Sequence, residues 1–207
     1  MVALKLDFQR NKLPEFLPPG LRLEHPSREA PTFICAGELP RIQLNCYVDD
    51  DLYVAEITDN ARAYADFQHI PITPVGDLLS WLERPPTKLV AVDDPAALEG
   101  LKAVLMERFA GRLFIAKSLP YFLELASPAV SKGSGLAFLA QHLGFASEHT
   151  VAFGDGENDL ELLAWAGFAV AVENADEDLK PYADWICPAA EEEGVAQVLE
   201  AFLDSGA

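Results

Sequence analysis

Positive charge is what this chain has least of. Its 15 lysines and arginines face 33 aspartates and glutamates, a formal net charge of −18. A surface of that sign argues against nucleic acid or anionic membrane as a partner. It also obliges any site for an anionic ligand to build its positive field locally. Cysteine is equally sparse: Cys35, Cys46 and Cys187 are odd in number and scattered. That usage suits the reduced thiols of a cytoplasmic protein better than a disulfide framework or a zinc cluster. No apolar run approaches membrane-spanning length, and the N-terminus shows no signal core with a cleavage site, since Val2 to Phe8 alternates like a strand. Half of the 207 residues are nevertheless apolar, enough for the core of one large or two small globular domains.

What is present centres on Val151 to Gly167. A short apolar run turns at Gly154 and Gly156 and continues with helical spacing at Leu160, Leu163 and Ala164. This predicts a buried strand, a tight acidic loop and a helix. Ligands of open α/β sheets gather at the carboxyl ends of strands, which is where Asp155, Asn158 and Asp159 fall. Three readings follow. A calcium loop of the EF-hand kind fails, because Leu160 stands at the position needing glycine and Ala166 at the position needing glutamate. Asn158 or Asp159 as a plain helix cap is the bland reading. The third is a magnesium and phosphate site, since a hard cation that keeps its waters is suited by one or two carboxylates. A second segment favours it. Val130-Ser-Lys-Gly-Ser-Gly135 places Lys132 at the start of a helix, where its ammonium and free N–H groups can face one anion.

Lys132, with Asp155 of Gly-Asp-Gly-Glu-Asn-Asp 23 residues later, resembles the third and fourth motifs of the haloacid dehalogenase superfamily, in particular its Cof-type phosphatase branch. Ala169-Val-Ala-Val-Glu-Asn-Ala175 resembles the strand and Asn-Ala loop of that branch, with Glu173 where glycine is usual. Lys180 to Asp184 and Glu193-Gly-Val-Ala196 complete its C-terminal pattern. The resemblance implies an α/β fold: a Rossmann-like core, incomplete at its N-terminus, with an inserted α/β cap. The expected organisation is an atypical segment 1–40, a cap 41–126 that selects the substrate, and the C-terminal half of the core, 127–207.

By the same resemblance the activity is Mg²⁺-dependent hydrolysis of a small phosphorylated metabolite. Asp155 would be a metal ligand, and Lys132 would offset phosphoryl charge and bind substrate. Asn158 and Asp159 would orient the metal's waters and the lysine, Asn158 also binding substrate and Asp159 acting with Lys132 in catalysis, and Asn174 would border the site. The nucleophile motif Asp-x-Asp-x-Thr is not intact: around Asp7, Gln9 replaces the second acid and Asn11 the threonine. Phe33-Ile-Cys-Ala-Gly37 likewise carries Ala36 where the second motif has a hydroxyl residue. Gln cannot protonate a leaving alkoxide, so weak or absent turnover is expected. A non-catalytic phosphate-binding protein, or one that oligomerises through an exposed sheet edge, is the alternative.

Elsewhere, prolines 14, 18, 19, 26, 31 and 40 forbid a long helix in the first forty residues. Strands are expected at Ile42–Val48, Leu52–Ile57, Lys88–Val92, Arg112–Lys117 and Tyr121–Leu125. Helices are expected at Gly76–Leu82 and from Asp94-Pro95, with Leu98, Leu101, Leu105 and Phe109 on one face. Asp49-Asp-Asp51 reads as a hairpin turn in preference to a metal cluster. Further on, helices are expected at 131–143, 158–166 and 195–203, and strands at 150–153, 168–172 and 184–187. Trp165 and Trp185 are assigned to the core or its edge, and Val195, Val198, Leu199 and Phe202 to the apolar face of the last helix.

Overall fold

The computed structural model describes residues 42–204. The readings around Asp7 and at Phe33–Gly37 lie outside them. The described residues divide into two compact units: one runs to Ile115 and resumes at Tyr121–Ser127, the other comprises Ala116–Pro120 and the chain from Pro128. No described helix is long and apolar enough to cross a membrane.

In the first unit, β1 (Gln43–Val48) and β2 (Asp51–Val54) form an antiparallel hairpin with Val48 opposite Asp51. Asp49 and Asp50 make its two-residue turn, both left-handed at φ 52° and 69°, a conformation that short polar side chains tolerate. Asp49 also pairs with Arg84, so the acidic triplet is a turn. Helix α1 (Asp59–Gln68) was not expected from the sequence. Its buried stripe is only Ala61, Tyr64 and Ala65, too thin for a periodicity reading. Its signals are at the ends, where the Thr58 hydroxyl accepts from the Ala61 amide and His69 closes the helix at φ 55°. Strand β3 (Ile72–Pro74), equally unexpected, runs parallel to β2. Strand β2 stops at Val54, short of Ile57.

The remaining elements follow their sequence signals. Helix α2 (Leu78–Trp81) is capped by Asp77, and β4 (Lys88–Val92) lies antiparallel to β1. Asp94 caps α3 (Pro95–Phe109), which buries Leu98, Leu101, Leu105 and Phe109 as its spacing requires. Strands β5 (Phe114–Leu119) and β6 (Phe122–Ala126) complete a sheet of order β3-β2-β1-β4-β6-β5. Alternation then sorts the two faces. Leu44, Cys46, Leu89, Ala91, Leu123 and Leu125 pack with α2 and α3, while Tyr47, Leu52, Val54, Val90 and Val92 pack with α1.

On the α1 face the Tyr47 and Tyr64 hydroxyls meet at 2.9 Å, both rings buried. Burial raises both phenols above their ordinary pKa, Tyr64 by far the more. The unfolded chain ionises these groups at pH ~10 while the folded one does not. Their contribution to stability is therefore complete below that pH and is lost as pH rises through the folded values. Tyr64→Phe strands the Tyr47 hydroxyl and is expected to cost about 1–2 kcal/mol at neutral pH. Urea titrations at pH 7 and pH 11 check this: wild type should lose more stability between them than the variant does, and equal losses would contradict the assignment.

The second unit contains α4 (Lys132–Leu143), β7 (Val151–Gly154), a single 3-10 turn at Glu157–Asp159 running into α5 (Leu160–Trp165), and β8 (Phe168–Val172). Strand β9 (Trp185–Cys187) and α6 (Gly194–Asp204) follow. The strands form an all-parallel sheet, β7-β8-β9, the Rossmann-like arrangement. Its core gathers Ala152, Leu163, Val170, Leu179, Cys187 and Val198. Two expectations are corrected. Leu199 is 40% exposed, because the stripe of α6 runs through Val195, Val198 and Phe202 and leaves Leu199 on its flank. Trp185 is 41% exposed, because β9 has no further strand beside it among the described residues; Trp165 is half-buried.

Candidate functional site

The site grows from the carboxyl end of β7, where the chain leaves the sheet at Gly154. A side chain there would not fit: a Cβ would stand 2.8 Å from Asp159 Cβ and 3.2 Å from Leu179 Cδ2. Glycine therefore lets the acidic turn fold back onto the strand end. Asp159, only 3% exposed, is the side chain that folds it. One of its oxygens, Oδ2, accepts the Asp155 amide at 3.1 Å and the Gly156 amide at 3.2 Å. The other, Oδ1, takes the Lys132 ammonium. Asp159 stands at the start of α5 but makes no side-chain cap bond to that helix; one oxygen turns back to the loop and the other goes to the lysine.

Lys132 reaches Asp159 from the first residue of α4. The Ser131 hydroxyl accepts the Ser134 amide at 3.1 Å and the Ser134 hydroxyl takes the Ser131 amide at 2.8 Å, a reciprocal cap that fixes where the helix begins. The next residue, Gly133, lets α4 touch α5: a Cβ there would lie 2.3 Å from the Glu161 carbonyl oxygen. Gly133 was not singled out from the sequence, although a glycine in the first turn of a helix is a signal of close approach. Lys132 keeps 42% of its side chain exposed, so its ammonium serves Asp159 and still faces solvent.

Asp155 is exposed. Partial desolvation and the neighbouring Asp159 carboxylate raise its pKa, and Lys132 opposes them. Asn158 lies on the same turn, its amide oxygen 3.2 Å from where a Cβ of Gly156 would stand. Asp155, Asn158, Asp159 and Lys132 are therefore brought together. Asn174 lies in the loop after β8. Its oxygen accepts the Ala190 amide at 3.1 Å and its nitrogen donates to Glu191 at 3.3 Å, tying the loop after β8 to the segment before α6. His142 stacks on Phe138 at 6.2 Å and His69 closes α1. Among the described residues, no three His, Cys, Asp or Glu side chains converge as a metal cage.

A parallel strand ending in a glycine-flanked aspartate, tied by a buried carboxylate to a helix-start lysine, is the arrangement the sequence resemblance implied. The profile of haloacid dehalogenase-like hydrolases matches residues 26–199. The chain belongs to this family. Within it the motifs and structural neighbours place the chain in the Cof-type branch. A phosphoglycolate phosphatase of Methanothermobacter thermautotrophicus is 45% identical over 83 residues, 40% of this chain and 38% of that protein. A Thermotoga maritima crystal structure superposes with TM-score 0.66 at 32% identity, covering 86% of this chain and 67% of its own. A haloacid dehalogenase-like hydrolase from Bacteroides thetaiotaomicron gives 0.68 at 27%, covering 87% and 68%. The aligned region is thus well under half the length of the curated phosphatase and about two thirds of the solved structures.

Proposed function

We propose that this site belongs to a Mg²⁺-dependent phosphomonoesterase acting on a small phosphorylated metabolite in the cytoplasm. We further propose that this chain alone binds metal and phosphate with little or no turnover. The observation that carries the reading is the ion pair of Lys132 with Asp159, the same carboxylate that folds the Asp155 turn. The donor set suits magnesium: Asp155 presents an exposed carboxylate at the strand end beside Asn158, the kind of oxygen ligand taken by a hard cation that keeps most of its waters.

In this reading Asp155 is the metal ligand, and Mg²⁺, when bound, supplies charge neutralisation at the phosphoryl oxygens. Lys132 offers the second positive charge there. Asp159 holds the ammonium in place and fixes the turn; its buried carboxylate is a rigid anchor, not a mobile base. Asn158 is the polar group best placed on the turn to orient substrate. The first unit is the cap that selects the substrate. The sequence around Asp7, with Gln9 in place of an acid, favours weak turnover, because a carboxamide cannot deliver a proton to the leaving oxygen.

The test is hydrolysis of a generic aryl phosphate with and without Mg²⁺, alongside calorimetry with inorganic phosphate. The expected result is magnesium-dependent phosphate binding with little or no release of the phenol. Vigorous magnesium-dependent turnover would refute the inactivity, and absence of phosphate binding would refute the site. A second reading, self-association, is favoured by one observation: β7 pairs only with β8 among the described residues, and Val151 on it is 39% exposed. Sedimentation should then show dimers, whereas a monomer at all concentrations would exclude it.

A further inference from the structure

The turn that carries Asp155 is held from a second side by a residue outside the motifs. Asp176, in the loop after β8, makes two bonds to it. Its backbone N–H donates to the Asp155 carbonyl at 2.9 Å, and its carboxylate oxygen Oδ2 accepts the Glu157 amide at 3.0 Å. With the two bonds to Asp159, the consecutive amides of Asp155, Gly156 and Glu157 are each taken by a carboxylate, and the Asp155 carbonyl is taken by Asp176. The peptide planes on both sides of Asp155 are fixed, so the direction in which its carboxylate leaves the backbone is fixed with them. The loop that delivers Asp176 is itself firmly seated. The Ala175 amide bonds to the Val172 carbonyl at 3.0 Å, the Leu179 amide to the Asp176 carbonyl at 3.0 Å, and the Ala175 and Leu179 side chains are buried.

We infer that Asp176 is a positioning residue for the metal ligand: it aims the Asp155 carboxylate by clamping the turn at Asp155 and Glu157, without itself touching metal or substrate. This rests on Asp155 holding Mg²⁺ as proposed above. Groups that orient a ligand from behind alter metal affinity by roughly 10–100-fold when removed; because Asp176 is exposed and water can partly replace it, the lower end applies.

The experiment is Mn²⁺ binding to the full chain, followed by paramagnetic resonance of free Mn²⁺ and by competition with Mg²⁺, with thermal unfolding recorded in parallel. Asp176→Ala should weaken binding about tenfold. Asp176→Asn keeps an oxygen that can accept the Glu157 amide and should bind within about threefold of wild type, because removing the charge leaves the clamp in place. A role through negative charge alone would make the two variants equally weak and overturns the inference, as does Asp176→Ala binding like wild type. If Asp176→Ala does not fold, the asparagine variant still decides, since weakening of about tenfold or more in that folded protein contradicts the clamp. Failure of wild type to bind Mn²⁺ would instead remove the functional reading on which the inference stands.

Discussion

Asp159→Ala is expected to lower the stability of the second unit by about 3 kcal/mol and to release Lys132. The magnitude follows from what the carboxylate does. It is buried and accepts two backbone amides through one oxygen, and hydrogen bonds to a charged acceptor contribute about 1.5–3 kcal/mol each. The pair with Lys132 adds little, because the lysine is half-exposed and can return to water. Asp159→Asn separates the two roles. Its amide oxygen can still accept the Asp155 and Gly156 amides, while its NH₂ group would face an ammonium. Urea midpoints should therefore rank wild type, then asparagine, then alanine, and phosphate binding should be lost in both variants. An alanine variant as stable as wild type would show that Asp159 does not hold the turn.

A pair of identical substitutions two residues apart in α4 should act with opposite sign. Gly135→Ala meets no atom within 4 Å, so the gain in helix propensity should stabilise by about 0.5–1 kcal/mol. Gly133→Ala drives a methyl group to 2.3 Å from the Glu161 carbonyl oxygen and 2.6 Å from its carbon. Backbone cannot swing aside as a side-chain tip does, so α4 and α5 must separate, at a cost of about 1–3 kcal/mol or more. That separation also draws Lys132 from Asp159. Thermal unfolding should move up for one variant and down for the other, with phosphate binding weakened only by Gly133→Ala. Two shifts of the same sign would mean the helices do not meet as described.

The sequence made these features legible to different degrees, for identifiable reasons. Helix α3 could be read almost to the residue, because Asp94-Pro95 marks its start, four fully buried side chains recur at helical spacing, and Gly111 follows its end at φ 70°. Strand β4, Lys88 followed by four apolar residues after Pro85-Pro86, is legible to its limits. Helix α1 was invisible because its exposed face is polar nearly all round, and tertiary packing of Tyr64 on Tyr47 and Phe122 supplies what its own pattern lacks. β3 is too short to carry a period.

That Asp155, Asn158, Asp159 and Lys132 lie together could be anticipated from the resemblance their motifs carry. Their division of labour could not. Nothing in the spacing says that one Asp159 oxygen serves the turn and the other the lysine, nor that Asn174 would face Glu191. Asp176 was hidden for the same reason: its bonds are to backbone, and backbone has no sequence. Gly154 reads as a turn and Gly133 as an unremarked glycine in a helix's first turn; the distances to Asp159 and Glu161 show that each is also a close contact.

In the proposed function the β7 turn and the α4 lysine form a divalent-cation site whose protein ligand is Asp155. Calorimetric titration of Mg²⁺ into the full chain and into its Asp155→Ala variant tests it most directly. Saturable binding of a single ion by the wild-type chain, absent from a folded Asp155→Ala protein, is the result the proposed function predicts. Binding that persists unchanged in the variant, or no binding by wild type, would contradict it.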